Sequence, residues 1–253
     1  MTNSFKTSDG LTLVWHEWGA EYGDPPVLLH HGFGASAKLN WLAAGVVAAL
    51  NDAGRRVIAI DARGHGESEK PHDPAFYGED RMSRDLSELI DHLGLPEVDL
   101  VGYSMGAIVA LISGTRERRL RRLVIGGVGD GILARGGVDT RVVDNRDIVS
   151  ALLADDLSTI APSARPFRQM ADATGADRKA LAAQAQVVHA APIPLDRIVA
   201  PTLVIAGDRD PLAANPERLA AAIPRAKAVI TPGDHRNAVS KPEFAAAVVA
   251  FLS

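Results

Sequence analysis

Five short segments of this 253-residue chain place serine, histidine, aspartate or glycine directly after an apolar run. The sharpest is Gly102-Tyr103-Ser104-Met105-Gly106, which follows Val98–Val101 and opens the run Met105–Ser113. It fits G-x-S-x-G, a pattern in which the chain reverses from strand to helix so tightly that the serine takes a strained backbone conformation and its hydroxyl stands clear of the sheet. The flanking glycines leave out Cβ atoms that would collide where helix and strand pack closely. A hydroxyl held this way is a candidate nucleophile once a neighbouring base takes its proton. The other segments are His31-Gly32-Phe33-Gly34 after Val27–His30, and Asp61-Ala62-Arg63-Gly64-His65-Gly66-Glu67-Ser68 after Val57–Ile60. Further on come Gly207-Asp208-Arg209-Asp210-Pro211 after Thr202–Ala206, and Thr231-Pro232-Gly233-Asp234-His235 after Ala226–Ile230. Together they offer a hydroxyl, imidazoles, carboxylates and glycine-rich backbone, the parts that acyl transfer needs.

The elements that must position these loops follow from the hydrophobic pattern. Thr2–Thr7 and Leu11–Trp18 flank Ser8-Asp9-Gly10, and Asp-Gly between strand formers predicts a β-hairpin. After Asp24-Pro25-Pro26, short apolar runs alternate with helical stretches: Val27–His30, Leu39–Leu50, Val57–Ile60, Arg81–Leu93, Val98–Val101, Met105–Ser113, Leu123–Ile125, Thr202–Ala206, Pro216–Ile223, Ala226–Ile230 and Lys241–Leu252. Such alternation predicts parallel strands buried on both faces. The fold class is α/β, a mostly parallel open twisted sheet with helices on both faces. Sheets of this kind bind ligands outside the carboxyl ends of their strands, where the five loops fall. Residues 129–197 break the rhythm. They hold no strand-like run, but Ala-rich helical stretches at Asp147–Leu157 and Asp177–His189, punctuated by Pro162, Pro166, Pro192 and Pro194. The expected organisation is a core of residues 1–128 and 198–253 with a small helical cap inserted at 129–197.

Taken in order, the five motifs resemble those of the α/β-hydrolase fold family, and the resemblance spans nearly the whole chain. It implies that Ser104 is the nucleophile, His235 the base and Asp210 the acid that orients it, in the chain order Ser, Asp, His expected of that fold. Two other aspartates compete for the acid's place: Asp208 in the same loop, and Asp130 just past Leu123–Ile125, where some family members carry the acid. The backbone N–H groups of Phe33 and Met105 correspond to the oxyanion hole. His31 corresponds to a histidine that holds its loop in place, and the loop from Asp61 to Ser68 is a family marker to which no chemistry is assigned. Asp61 and Arg63 are expected to fix that loop by charge-assisted hydrogen bonds. One residue departs from the pattern: Asp234 stands where glycine usually precedes the histidine, and it could bring a second carboxylate to the imidazole.

The implied mechanism is attack of Ser104 on a carbonyl, an acyl-enzyme on Ser104 and its release by water, with no cofactor and no metal. Carboxylic ester cleavage is the expected activity. Perhydrolase, lactonase, thioesterase and C–C hydrolase chemistry of the same fold are the alternatives, as is a member that binds ligand without catalysis. Epoxide hydrolases and haloalkane dehalogenases carry aspartate at the position of Ser104, and C–C hydrolases usually carry tryptophan at that of Arg236. Composition narrows the partners. The chain has no cysteine, which excludes disulfides and thiolate chemistry, and its net charge of −4 argues against a nucleic-acid surface. Met1–Gly10 is polar and mixed, and no apolar stretch approaches the ~18 residues needed to span a bilayer. A cytoplasmic protein acting on a small molecule, as a monomer or small homo-oligomer, is therefore expected. In 129–197, Arg135, Arg141, Arg146, Arg165 and Arg168 balance Asp139, Asp144, Asp147, Asp155 and Asp156, which argues against a strongly charged substrate. Arg116, Arg118, Arg119, Arg121 and Arg122 form a basic run, read as a solvated helix end rather than a phosphate site.

Overall fold

The computed structural model describes residues 2–23, 25–137 and 144–253. Asp24, Asp139 and Arg141 lie outside the described residues. Strands β1 (Thr2–Lys6) and β2 (Thr12–Trp18) form the expected hairpin, turning through Gly10 at φ 93°. β2 then pairs antiparallel with β4 (Val57–Ile60). From there the sheet is parallel, through β3 (Val27–His30), β5 (Val98–Tyr103), β6 (Leu120–Gly126), β7 (Thr202–Gly207) and β8 (Ala226–Thr231). The order across the eight strands is 1-2-4-3-5-6-7-8.

Because side chains alternate across a strand, each central strand feeds two cores. Val27, Leu29, Val57 and Ala59 pack with α1 (Val46–Asp52) and α9 (Pro242–Leu252) on one face. Leu28, Ile58 and Ile60 pack with α2 (Glu79–His92), α3 (Met105–Gly114) and α8 (Pro216–Ala221) on the other. Every residue of β3, β4 and β5 is buried, as a run apolar on both faces requires. The edge strand β8 departs from that expectation, with Ile230 more than half exposed.

Between β6 and β7 the chain forms α4 (Gly131–Arg135), α5 (Asn145–Leu153), α6 (Arg165–Thr174) and α7 (Arg178–Ala185). The expected helices at Asp147–Leu157 and Asp177–His189 are shorter than their sequence pattern. Asp144 and Asp177 cap the two starts by accepting backbone N–H groups. α6 was not expected, because Pro166 reads as a breaker. It sits in the first turn, where the missing N–H has no intrahelical partner to lose. The single helix expected over Leu39–Leu50 is two pieces, a π-turn at Lys38–Leu42 and then α1. Gly45 separates them at φ 80°, outside the right-handed helical region.

Most of the basic run is neutralised within the chain. Arg116 bonds Asp80, Arg119 bonds Glu117 and Asp91, and Arg121 bonds the fully buried Asp99. Arg122 donates to the Leu252 carbonyl near the end of α9. Among the described residues no helix is long and apolar enough to cross a membrane.

Candidate active site

The turn from β5 into α3 is as tight as the pattern demands. Ser104 sits at φ 56° and ψ −116°, a conformation that costs a non-glycine residue roughly 1–3 kcal/mol. Its N–H is held by the Gly126 carbonyl at 2.8 Å. The glycines on either side are steric requirements. A Cβ on Gly102 would stand 2.1 Å from the Gly106 carbonyl oxygen, and one on Gly106 would stand 2.1 Å from that of His30. The crowding that excludes side chains here is what pushes the serine out of the sheet.

Two loops at the carboxyl ends of β7 and β8 bring the remaining polar groups to Ser104. His235 Nε2 lies 2.8 Å from Ser104 Oγ, and His235 Nδ1 lies 2.9 Å from Asp210 Oδ2. The Asp210 carboxylate is wholly buried, and its other oxygen accepts the Leu212 N–H at 2.9 Å. A buried carboxylate can only accept, so Nδ1 carries the ring proton and Nε2 is left to accept the serine hydroxyl. The Tyr103 hydroxyl donates to the His235 carbonyl at 2.8 Å and ties the histidine loop to the residue before the serine.

The rival aspartates are engaged elsewhere. Asp208 Oδ1 accepts the Gly233 N–H at 2.8 Å, joining its side chain to the backbone of the other loop. Asp130 accepts from Arg218 at 2.7 Å and from Asn215 at 3.0 Å. Asp234 does not bring a second carboxylate to the imidazole as expected. Its Oδ1 accepts the N–H groups of Arg236 and Asn237 and closes a local turn. Aspartate can replace glycine here because its side chain mimics a turn of backbone.

Phe33 and Met105 both line the cavity with Ser104 and His235, and among the described residues neither backbone N–H is taken by an acceptor. The Asp61 loop is fixed as expected. The Asp61 carboxylate accepts from Ala37 and Glu67 N–H groups and faces His16, and Arg63 donates to Asp85 and Asp9. Burial pushes Asp61 up, but His16, His31 and the two N–H groups outweigh it and hold the carboxyl down at about 2.

The cavity over Ser104 measures about 750 Å³. Its wall is mainly apolar, with Phe33, Ile108, Val128, Ile132, Ile148 and Phe167 among the lining residues. The polar residues Ser163, Gln169, Arg236 and Ser240 line it from exposed positions. Three further polar side chains in the lining are buried, namely Asn40, Glu79 and Gln184. Gln184 Nε2 contacts Met105 Sδ at 2.6 Å, and the Glu79 carboxyl, pushed up by burial, accepts the His189 N–H at 2.6 Å. None of the three was singled out from the sequence. They come from the π-turn, α2 and α7, each in a setting ordinary for a surface polar residue, so no local signal marks them.

Comparison with known proteins agrees with this architecture. A family model described as alpha/beta hydrolase fold matches residues 25–125. The crystal structure of a hydrolase from Pseudomonas aeruginosa superposes with a TM-score of 0.79 at 30% identity, covering 100% of this chain and 98% of that one. The chain belongs to the α/β-hydrolase fold superfamily. Within that superfamily it is 35% identical to a 2-hydroxy-6-oxo-2,4-heptadienoate hydrolase of Pseudomonas putida, over 65% of this chain and 64% of the relative. A bromoperoxidase structure from Bacillus anthracis has a TM-score of 0.72 at 26% identity, with 100% of this chain and 99% of the other covered. The curated relatives are matched over part of their length, from 32% to 64% in the first three.

Proposed function

We propose that this α/β hydrolase is a serine esterase that cleaves a carboxylic ester through an acyl-enzyme on Ser104. The observation that carries the reading is the unbroken chain from Ser104 Oγ through His235 to the buried Asp210, at 2.8 and 2.9 Å. His235 removes the serine proton as Oγ attacks the carbonyl. Asp210 holds the ring in the productive tautomer and stabilises the imidazolium that forms. The N–H groups of Phe33 and Met105 receive the oxyanion, a contribution of about 3–4 kcal/mol per donor where one has been removed in comparable sites. His235 then protonates the leaving alcohol, and water, activated by the same imidazole, frees the acid.

The mainly apolar cavity supports an uncharged acyl group as the substrate class. Helices α4–α7 act in this reading as a cap, with Phe167 and Met170 of α6 forming part of the acyl wall. The likeness to the Pseudomonas putida hydrolase favours one second reading, C–C bond hydrolysis with the same residues.

A serine-directed fluorophosphonate tests the nucleophile. It should add once, at Ser104, and Ser104→Ala should abolish both labelling and turnover of p-nitrophenyl esters without altering thermal stability. Labelling at another serine, or full activity in the variant, would refute the assignment. A chain-length series of p-nitrophenyl esters, run beside a vinylogous 1,5-diketone, separates ester from C–C cleavage.

A further inference from the structure

Phe33 N–H belongs to the peptide linking Gly32 to Phe33, and a planar trans peptide points its N–H opposite to its C=O. Whatever holds the Gly32 carbonyl therefore aims the Phe33 N–H. That carbonyl accepts from His31 Nδ1 at 2.8 Å and from the Ala35 N–H at 3.2 Å. The next peptide, Phe33 to Gly34, is held from the other side, its N–H donating to His65 Nε2 at 3.0 Å. His65 comes from the marker loop after β4, and its Nδ1 donates to its own loop at the Arg63 carbonyl, 3.0 Å away. His31 completes the exchange in the opposite direction, its Nε2 accepting the Ala62 N–H at 3.0 Å. Each loop thus lends the other an imidazole. The two rings meet edge to face at 5.1 Å, and the Phe33 ring packs edge-on to His65 at 5.9 Å.

We propose that His65 is a positioning residue for the oxyanion-binding N–H of Phe33, forming with His31 a reciprocal imidazole staple between the loops after β3 and β4. This rests on the proposed role of the Phe33 N–H. The staple works only while both rings are neutral, since a protonated Nε2 cannot accept. Burial and the neighbouring His31 and His30 rings hold His65 down at about 3, against the opposing pull of the Arg63 carbonyl and the Asp61 carboxylate. His31 is lowered by burial as well. In both rings Nε2 accepts a backbone N–H, which only a neutral imidazole can do. Gly34 sits at φ 71°, a conformation that side-chain-bearing residues rarely adopt, so a substitution there would strain the peptide that His65 holds.

Two variants of the whole protein test the inference. His65→Phe keeps an aromatic ring against Phe33 but removes the acceptor, while His65→Gln can place an amide oxygen near the Nε2 position. On a p-nitrophenyl ester, His65→Phe should lose about 10- to 100-fold in kcat with KM changed less than about threefold, because a misaimed donor is felt mainly in the transition state. Affinity for a trifluoromethyl ketone, which forms an oxyanion on Ser104, should fall in parallel, while that for the matching methyl ketone should hold. His65→Gln should recover most of both losses. If His65→Phe fails to fold, His65→Asn, which is polar but too short to reach Gly34, takes its place. Wild-type kcat in His65→Phe, or equal loss of both ketones with no recovery in His65→Gln, would overturn the inference. A wild-type protein that resists the fluorophosphonate would overturn the nucleophile assignment and this inference together.

Discussion

Two regions converge on Ser104 and are built on different principles. On the sheet side, the loops after β5, β7 and β8 are locked at their backbone groups. A Cβ on Gly207 would stand 2.4 Å from the Gly233 carbonyl oxygen, Asp208 holds the Gly233 N–H, and Tyr103 holds the His235 carbonyl. On the other side, α5, α6 and α7 share a small core in which alanines are prominent, with Ile148, Leu152, Ala171, Leu181, Ala182 and Ala185 at its centre. They reach the site through side chains, with Phe167 against Phe33 at 6.2 Å and Gln184 against Met105. Backbone locks tolerate almost no change, because no side-chain rotation can relieve a carbonyl 2.1 Å from a new Cβ. Side-chain contacts between helices tolerate substitution at modest cost. The sheet side is thereby suited to holding chemistry constant, and the helical side to varying what is bound.

The sharpest way to break this contrast is within the sheet side itself. Asp210→Asn should cut kcat by roughly 10⁴-fold with little change in KM, because an amide favours the wrong imidazole tautomer. Asp208→Asn and Asp130→Asn should stay within a few fold of wild type, since an asparagine oxygen can still accept from Gly233 or from Arg218. Collapse of kcat in Asp130→Asn alone, with stability unchanged, would mean that the acid lies after β6.

A second test reads the stability of the locked loops. His30 and His65 are held at about 3 by burial, against an ordinary 6.5. The unfolded chain therefore binds more protons below 6.5, and the stability these neutral rings permit is lost as pH falls from 6.5 toward 3. Each contributes a slope of up to about 1.4 kcal/mol per pH unit in that window. Denaturant titrations at pH 6, 5 and 4 should show stability falling, and His65→Gln should flatten the slope by up to one proton's worth. A flat profile in the wild type would refute the buried neutral state.

The smallest expected effect is on the helical side. Phe167→Ala should leave kcat on p-nitrophenyl acetate within about twofold and shift kcat/KM toward longer acyl chains by roughly 5- to 20-fold, since one or two methylenes of new space are worth about 1–2 kcal/mol. An unchanged chain-length profile would show that α6 does not line the acyl site.

The asymmetry also explains what could be read without coordinates. Gly102, Ser104 and Gly106 form a local steric device, complete within five residues, so spacing alone identifies it. The strands β3 and β4 were legible to the residue, because a run buried on both faces has no polar position at which to be misplaced. The helix broken at Gly45 and the helix α6 with Pro166 in its first turn were misread because each residue's effect depends on the turn it occupies.

The order of elements, the proposed nucleophile and the set of candidate acids were legible in the sequence, since each depends on neighbours a few residues away. Which aspartate faces His235, where Asp234 spends its carboxylate, and the meeting of Asn40, Glu79 and Gln184 in one cavity were decided only by the tertiary structure. Those outcomes turn on side-chain direction and on contacts between segments from 25 to more than 100 residues apart, such as Asp210 with His235 and Glu79 with His189. No local pattern encodes such distances, because the chain is free to bring any of the three aspartates to the imidazole until the sheet order and loop packing leave room for one.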